Sequence, residues 1–562
     1  MSILNEKKMM WFLNAISMTD SLCLATYLFV YFLGLYLLIN YSAIAWVDLI
    51  LDDAYYYIGI ARNLVDHGVS QFSSPLKTNG YQPLWLSLLT VSASLFGTSD
   101  TALVTQCYSL SFAFLMIFVY LSRRRYGMAF PALLTILSYS FIVLNGMESA
   151  LLPALILMFF SAKTWTQKGV MASLLFLGRL DSLSVVIAND LYIGLTQRKW
   201  ELLHYTILLP IVLFYLLFNY FFYGVPVPVS GLQKAIGNIP FENLQVGLGY
   251  LSNYKTIMRL FGGIVLVNVL ASRPYFSLRF CREWSVLTFS TVLCATYYSS
   301  RSGWIVWPWY YWPIFTLIFY GLLESVLLIK LLLPSPINVR NGLAISILLL
   351  NILYTSKIGL NNIVDRWNMV KEATSGAYSS SYSRQNLKLA EYVRLNFPHQ
   401  VYFAMGDRAG SFGFFLGNEY RFFHTEGLVA SYEYYQAMHN DQGLVFADGQ
   451  GIDYWIAERE RFLELGDVIG VIEPIQGRSA HQGPYLLCFS RNAIILDQSY
   501  IPSKYQATNE YEYRYVFDNK GRVTCPDSMY KAFSELKQRY SGIRDFSLPI
   551  ETRVYHLNRD IQ

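Results

Sequence analysis

The chain has 562 residues, 54% of them hydrophobic and only 14% charged, with a formal net charge of +5. Soluble domains average about 45–50% apolar and about 25% charged, so an ordinary soluble protein is excluded. The small net charge gives no basis for nucleic-acid binding.

The apolar excess lies before residue 357, and the rest reads as a globular domain. The first span is expected over residues 22–46, after Lys7 and Lys8. It is too long for a signal-peptide core and is read as retained. Positive charge marks the cytoplasmic side, which puts the N-terminus inside. Residues 54–66 read as an amphipathic helix at the surface. Residues 83–96 form an apolar run too short to span, since crossing takes about 20 residues. With that run lying flat, residues 102–122 cross inward and bring Arg123, Arg124 and Arg125 to the cytoplasm. The remaining spans are expected at 128–145, 149–163, 169–179, 182–196, 203–222, 257–271, 285–299, 309–329 and 340–357. This gives about eleven crossings, with nearly every basic cluster inside. An odd count places the C-terminal part on the side of the first loop. There, NLKLAEYVRLNF reads as a helix, and QVYFAMGD, GIDYWIAE and DVIGVIEP read as strands. The fold class is thus a polytopic α-helical membrane protein, residues 1–357, followed by a C-terminal α/β or α+β domain, residues 358–562.

The six cysteines lack metal-ligand spacing. Cys23, Cys107, Cys281 and Cys294 fall in or beside apolar segments. Cys488 and Cys525 share the C-terminal domain, where a disulfide and two separate thiols are both open readings.

The chemistry-bearing residues gather on one expected membrane face: Asp52, Asp53, Arg62, His67, Lys77, Asn79, Glu148, Arg179, Asp181, Lys234 and Arg301. Ionisable groups at membrane helix ends are functional candidates, because a lone buried charge is costly. A carboxylate can serve as a base, and cations can hold a phosphate. Plainer uses stand beside these. Asp52 and Asp53 suit a helix N-cap, Arg179 and Asp181 suit a structural ion pair, and Glu148 suits a helix N-terminus. The aromatic run from Trp307 to Trp312 suits an interfacial belt first and the lining of a sugar or isoprenoid site second, and Asp407 and Arg408 suit a pair at a strand end.

DDAYYYIGIARNL followed by TNGYQPLWL resembles the first external loop of bacterial GT-C fold glycosyltransferases, the polytopic enzymes that use polyprenyl-phosphate sugars. The likeness continues through NGMESAL (145–151), GRLDS (178–182), YGVPVPVSGLQK (223–234), WYY (309–311), GDRAGSFGFFLG and HTEGLVAS. More distantly, the layout is similar to protein O-mannosyltransferases and lipid A aminoarabinose transferases. The resemblance implies transfer of a sugar from a polyprenyl-phosphate donor to a glycan, lipid or protein acceptor outside the cytoplasm, by inverting single displacement. It implies Asp52 as the base and Asp53 as its orienting neighbour, with Lys234 and Arg179 on the donor phosphate. Tyr81, Asn79, Glu148, Asp181 and Tyr310 would line the pocket. A divalent metal held by Asp52 and Asp53 is left open. The location implied is the inner membrane, with the C-terminal domain extracytoplasmic. A WWDYG-type motif is lacking, which weighs against en bloc oligosaccharide transfer. The rival classes are a silent GT-C-like scaffold and a lipid or glycan flippase, though no internal repeat suggests the latter.

The charge pattern predicts the orientation directly. Alkaline phosphatase fused at the C-terminus is expected to be active in whole cells, and a green fluorescent protein fused there to stay dark. The reverse result would invert the topology.

Overall fold

A computed structural model describes residues 2–72, 75–235, 255–270, 280–302, 306–332, 339–379, 381–406, 408–458, 462–473, 485–496, 514–539 and 554–556. Asp407 lies outside the described residues. Among the described residues, five helices are long and apolar enough to cross a membrane: Met18–Asn40, Asp100–Tyr126, Tyr205–Tyr223, Pro308–Leu332 and Asn341–Ser375. The other expected spans fall on helices Phe130–Ser138 with Ser140–Val143, Leu152–Ser161, Trp165–Gly178, Leu183–Gln197, Lys255–Leu270 and Cys281–Arg301. The first helix ends at Asn40, short of the expected residue 46. Ala43–Trp46 is a separate turn, buried beneath its neighbours. Pro308–Leu332 is the most enclosed of the five long helices, whereas Tyr205–Tyr223 turns most of its rings outward.

The polar ends of these helices sort into two groups. In one group, Asp20 on the first helix accepts the backbone N–H groups of Ala129 and Phe130, capping the next helix, Phe130–Ser138. Arg125 pairs with Glu283 at 2.9 Å and donates to Ser161. Arg282 donates to Asn189, and Lys168 pairs with Asp190 at 2.8 Å. These are residues expected at one membrane end. Of the residues expected at the other end, Asp53, Glu148, Arg179 and Lys234 line one cavity.

The helix Asp52–His67 is covered on both sides. It packs on Pro83–Phe96 and on the C-terminal helix Gly410–Leu416, and Ala54 through Ala61 are all buried. An amphipathic helix expected to lie on the membrane surface is thus roofed by the C-terminal domain. Pro83–Phe96 has 14 residues, or about 21 Å of helix against a hydrocarbon core of about 30 Å.

The last long helix runs without a break over Val339–Ser375, so the expected division at 357/358 falls inside it. Its second half has a reason to stay helical on the bundle. The segment 130–143 breaks at Tyr139, and Asn362 donates to the carbonyls of Leu137 and Ser138 there, at 2.8 and 3.0 Å. Arg366 donates to the Leu144 carbonyl. Carbonyls orphaned by the break are thereby satisfied.

Beyond it the chain is α/β. The strands are β1 (Tyr402–Met405), β2 (Arg421–His424), β3 (Tyr454–Glu458), β4 (Phe462–Leu465), β5 (Val468–Glu473), β6 (Tyr485–Ser490), β7 (Ile494–Leu496), β8 (Arg514–Asp518), β9 (Arg522–Val523) and β10 (Val554–His556). They form two five-stranded sheets, ordered β2-β1-β3-β8-β7 and β10-β4-β5-β6-β9. β1 pairs in parallel with β2 and β3, and all four of its residues are buried, as parallel strands require. The expected helix NLKLAEYVRLNF and all three expected strands are present. Cys488 on β6 bonds Cys525, with an S–S distance of 2.13 Å, beside Met529 and Leu463.

The disulfide spans 37 residues, for which chain entropy gives about 4 kcal/mol. Cys488→Ser with Cys525→Ser is expected to lower the melting temperature of the C-terminal domain. Reduction of the unmodified chain should produce the same shift. Melting curves indifferent to both would remove the bond's stabilising role.

Candidate active site

One cavity, about 530 Å³ including its open mouth, lies where the first loop, the bundle and the C-terminal domain meet. Asp53, Tyr56, Tyr57 and Ile60 line it from the helix Asp52–His67. Their spacing is that of one helical face. Glu148, Arg179, Lys234, Trp309 and Tyr310 come from the bundle side, and Leu428 and Val429 from the C-terminal domain.

The electrostatic centre is Arg179, 3% exposed, just past the helix Trp165–Gly178. It donates bidentately to Asp181, through Nε at 2.9 Å and Nη2 at 3.0 Å. Its Nη1 donates to Glu148 at 2.7 Å. Glu148 accepts the Tyr57 hydroxyl at 3.0 Å, and Asp181 accepts the Tyr298 hydroxyl at 2.7 Å. The guanidinium also stacks 4.4 Å from the Tyr310 ring centre. The expected ion pair of Arg179 and Asp181 is therefore real, and it belongs to a buried network that borders the cavity.

Lys234 follows the short helix Val229–Gln233. Its ammonium donates to the Tyr310 hydroxyl at 2.6 Å. Burial pulls the Lys234 ammonium down, but the Tyr310 phenol and the Asp53 carboxylate outweigh it, and the group ends above lysine's ordinary value. It is thus a cation at neutral pH. Asn79 fixes the loop that delivers it: its Nδ2 donates to Asn219 and to the Val227 carbonyl, and its Oδ1 accepts the Val229 N–H.

Adjacent aspartates part company. Asp52 is not among the cavity's lining residues. Its two carboxylate oxygens accept the backbone N–H groups of Gly410 and Ser411, each at 2.8 Å, and the Ser411 hydroxyl. It caps a helix of the C-terminal domain rather than its own helix, whose N-cap is Leu51. Asp53 faces the cavity. Asp52, expected as base, is thus held at 410–411, and Asp53, expected as its support, is the one that lines the cavity. The two carboxylates do not fit a joint metal clamp, since both oxygens of Asp52 are bound elsewhere. Among the described residues, no group of three or more His, Cys, Asp or Glu side chains could hold a metal ion.

Of the other expected residues, Tyr81, Glu148 and Tyr310 line the cavity, whereas Asn79 and Asp181 stand behind it as supports. Arg62 pairs with Asp100 and lies over the Phe414 ring. His67 meets Asn418. Lys77 pairs with Gln71 in a short bridge, and Arg301 is exposed at a helix end. Trp309 lies in the aromatic run that sequence marked, whereas Tyr56, Tyr57, Gln82, Leu428 and Val429 were not assigned to the site by sequence. Tyr56 and Tyr57 were legible as the i+3 and i+4 neighbours of Asp53.

The C-terminal domain presses closely on this site. A Cβ at Gly80 would stand 2.0 Å from the Leu428 carbonyl oxygen, so the loop contact demands glycine. Tyr56 bonds His424 across the same junction, at 3.1 Å.

No family model and no curated protein matches the chain. Among solved structures it is similar to ArnT from Cupriavidus metallidurans bound to undecaprenyl phosphate. The identity is 16%, the match covers 72% of this chain and 85% of that one, and the TM-score is 0.42.

Removing Glu148 would leave a buried guanidinium short of one partner. Glu148→Ala is expected to cost about 3–5 kcal/mol, read as a lowered melting temperature in detergent. Glu148→Gln, which keeps an acceptor oxygen, should cost less. Equal losses would deny the charge its role.

Proposed function

We propose that the chain is an inner-membrane glycosyltransferase of the GT-C type, acting on a polyprenyl-phosphate-linked sugar outside the cytoplasm. The observation that carries the reading is the meeting of Asp53, Lys234 and Arg179 at one cavity. A carboxylate and two cations are what this displacement needs, and the motifs of the resemblance supply the same residues. The Cys488–Cys525 bond supports an oxidising compartment for the C-terminal domain. The basic helix ends, grouped away from the cavity, support a cytoplasmic N-terminus.

In this reading the base is Asp53. The acceptor hydroxyl attacks the anomeric carbon, and its proton passes to the Asp53 carboxylate. The new glycosidic C–O bond forms as the bond to the phosphate oxygen breaks. That oxygen keeps the electron pair, and polyprenyl phosphate departs. Lys234 meets the growing phosphate charge first, because Arg179 is already committed to Glu148 and Asp181. Tyr310 stands between both cations and orients them. Asp52 positions Asp53 by holding their shared helix against residues 410–411. The outward rings of Tyr205–Tyr223, which ends near the loop carrying Lys234, offer an apolar surface to a lipid tail.

The test is transfer in membranes from labelled polyprenyl-phosphate arabinose, mannose, glucose or galactose to envelope acceptors. Asp53→Asn is expected to lower kcat by about 10²–10⁴, and Lys234→Met by about 10²–10³. Asp52→Asn should retain measurable turnover while lowering the melting temperature. Loss of activity in Asp52→Asn with full activity in Asp53→Asn would return the base to Asp52. Absence of transfer from every donor, with folded protein, would overturn the enzyme reading.

A further inference from the structure

The segment His424–Thr425–Glu426–Gly427, which belongs to HTEGLVAS, has no part in the displacement chemistry. It begins at the last residue of β2 and leads into Leu428 and Val429, which line the cavity. It is keyed to both neighbouring elements. Gly427 sits at φ +83°, where a Cβ would come 3.2 Å from the side chain of Gln233, the residue before Lys234. Leu428 offers its carbonyl to the first loop at Gly80. The fold thus supports this loop from both sides of the cavity.

His424 is 3% exposed. Its Nε2 lies 3.1 Å from the Tyr56 hydroxyl and 3.4 Å from Glu426 Oε2, and its ring centre is 5.1 Å from that of Tyr56. Its Nδ1 is buried with no hydrogen-bond partner among the described residues. Both polar contacts are therefore made through the nitrogen that faces Tyr56. Tyr56 lines the cavity one turn after Asp53. With Nε2 unprotonated the Tyr56 O–H points at His424 and the phenol oxygen is left to accept; with Nε2 protonated the ring donates to that oxygen and the Tyr56 hydrogen is left to donate, so in each tautomer one hydrogen-bonding direction of the phenol is taken by His424.

We propose that Tyr56, oriented by His424 and Glu426, holds a hydroxyl of an acceptor sugar beside Asp53. This rests on the glycosyl-transfer reading and names the side of the cavity that reading leaves blank. The cations come from the bundle side, where a lipid-borne phosphate must lie. Tyr56 belongs to the part built against the polar domain, from which a water-borne acceptor arrives. An in-line displacement needs the acceptor across the anomeric carbon from the phosphate. Flat rings at Tyr56, Tyr57 and Tyr81, next to apolar Leu428 and Val429, offer the faces on which a sugar ring packs while its hydroxyls are bonded.

The experiment uses the full chain in detergent, with the same labelled donors and delipidated envelope polysaccharide as acceptor probe. Tyr56→Phe removes only a hydroxyl. It is expected to raise the acceptor KM about tenfold while the donor KM moves less than twofold. His424→Ala should do the same and His424→Gln, which can still bond Tyr56, should recover part of the loss. Because His424 acts through Tyr56, the double variant should be no worse than Tyr56→Phe alone. A donor KM that rises in step, an unchanged acceptor KM, or additive losses would overturn the proposal. So would a serine- and threonine-rich envelope protein fraction serving as the Tyr56-dependent acceptor. If the unmodified chain turns over no donor, the transfer reading fails, and binding of the polysaccharide probe decides the subsite separately. Binding weakened about tenfold in Tyr56→Phe would support it. Equal binding, or none, would end it.

Discussion

A guanidinium cannot shed its proton inside a protein, so a buried arginine must be surrounded before anything near it can pack. Arg179 imposes that condition here. Its two carboxylates draw in Tyr57 from the first loop and Tyr298 from the helix Cys281–Arg301. Tyr57 in turn accepts the Gln82 backbone N–H, and Arg179 Nη1 reaches the Trp309 carbonyl. Segments far apart in the chain are therefore held to one charge. The cavity borders this network, so its shape follows from an electrostatic requirement as much as from apolar packing. The cost of desolvating these groups is accepted at a place where a fixed arrangement of charge is useful.

The helix Asp52–His67 is the tie between bundle and domain, and it resolves the doublet with which it opens. Successive side chains on a helix diverge by about 100°. Two neighbouring aspartates therefore cannot address the same atom without distortion. One faces the 410–411 backbone and the other the cavity, and the helix serves both at once. The residue that docks the helix is thus covalently next to the one that lines the cavity.

Much of this was legible in the sequence because it is local. Apolar runs and basic ends place the helices. Short apolar runs mark β1, β3 and β5, and the spacing of Asp53, Tyr56, Tyr57 and Ile60 marks a face. What was not legible depends on partners far away in the chain. Nothing around Asp52 reveals that Gly410 and Ser411 occupy it; the expectation of Asp52 as base came from the resemblance. The bond from Tyr56 to His424 is equally remote. The domain boundary was placed where hydrophobicity fades, near residue 357. A helix stops where its backbone bonds stop, however, and Asn362 and Arg366 give this one reason to continue to Ser375.

That continuous helix has 37 residues, or about 55 Å of length, against about 30 Å of hydrocarbon. The surplus continues along the bundle, held at Leu137, Ser138 and Leu144, toward the α/β domain. On a continuous helix, height and azimuth are a single variable. Each residue added beyond the apolar window would lift the α/β domain by about 1.5 Å and swing it by about 100°. A whole turn nearly restores the bearing, whereas half a turn would carry the domain round to the wrong side of the bundle. The number of residues in a stretch that touches no substrate therefore acts as a phase setting for the cavity roof.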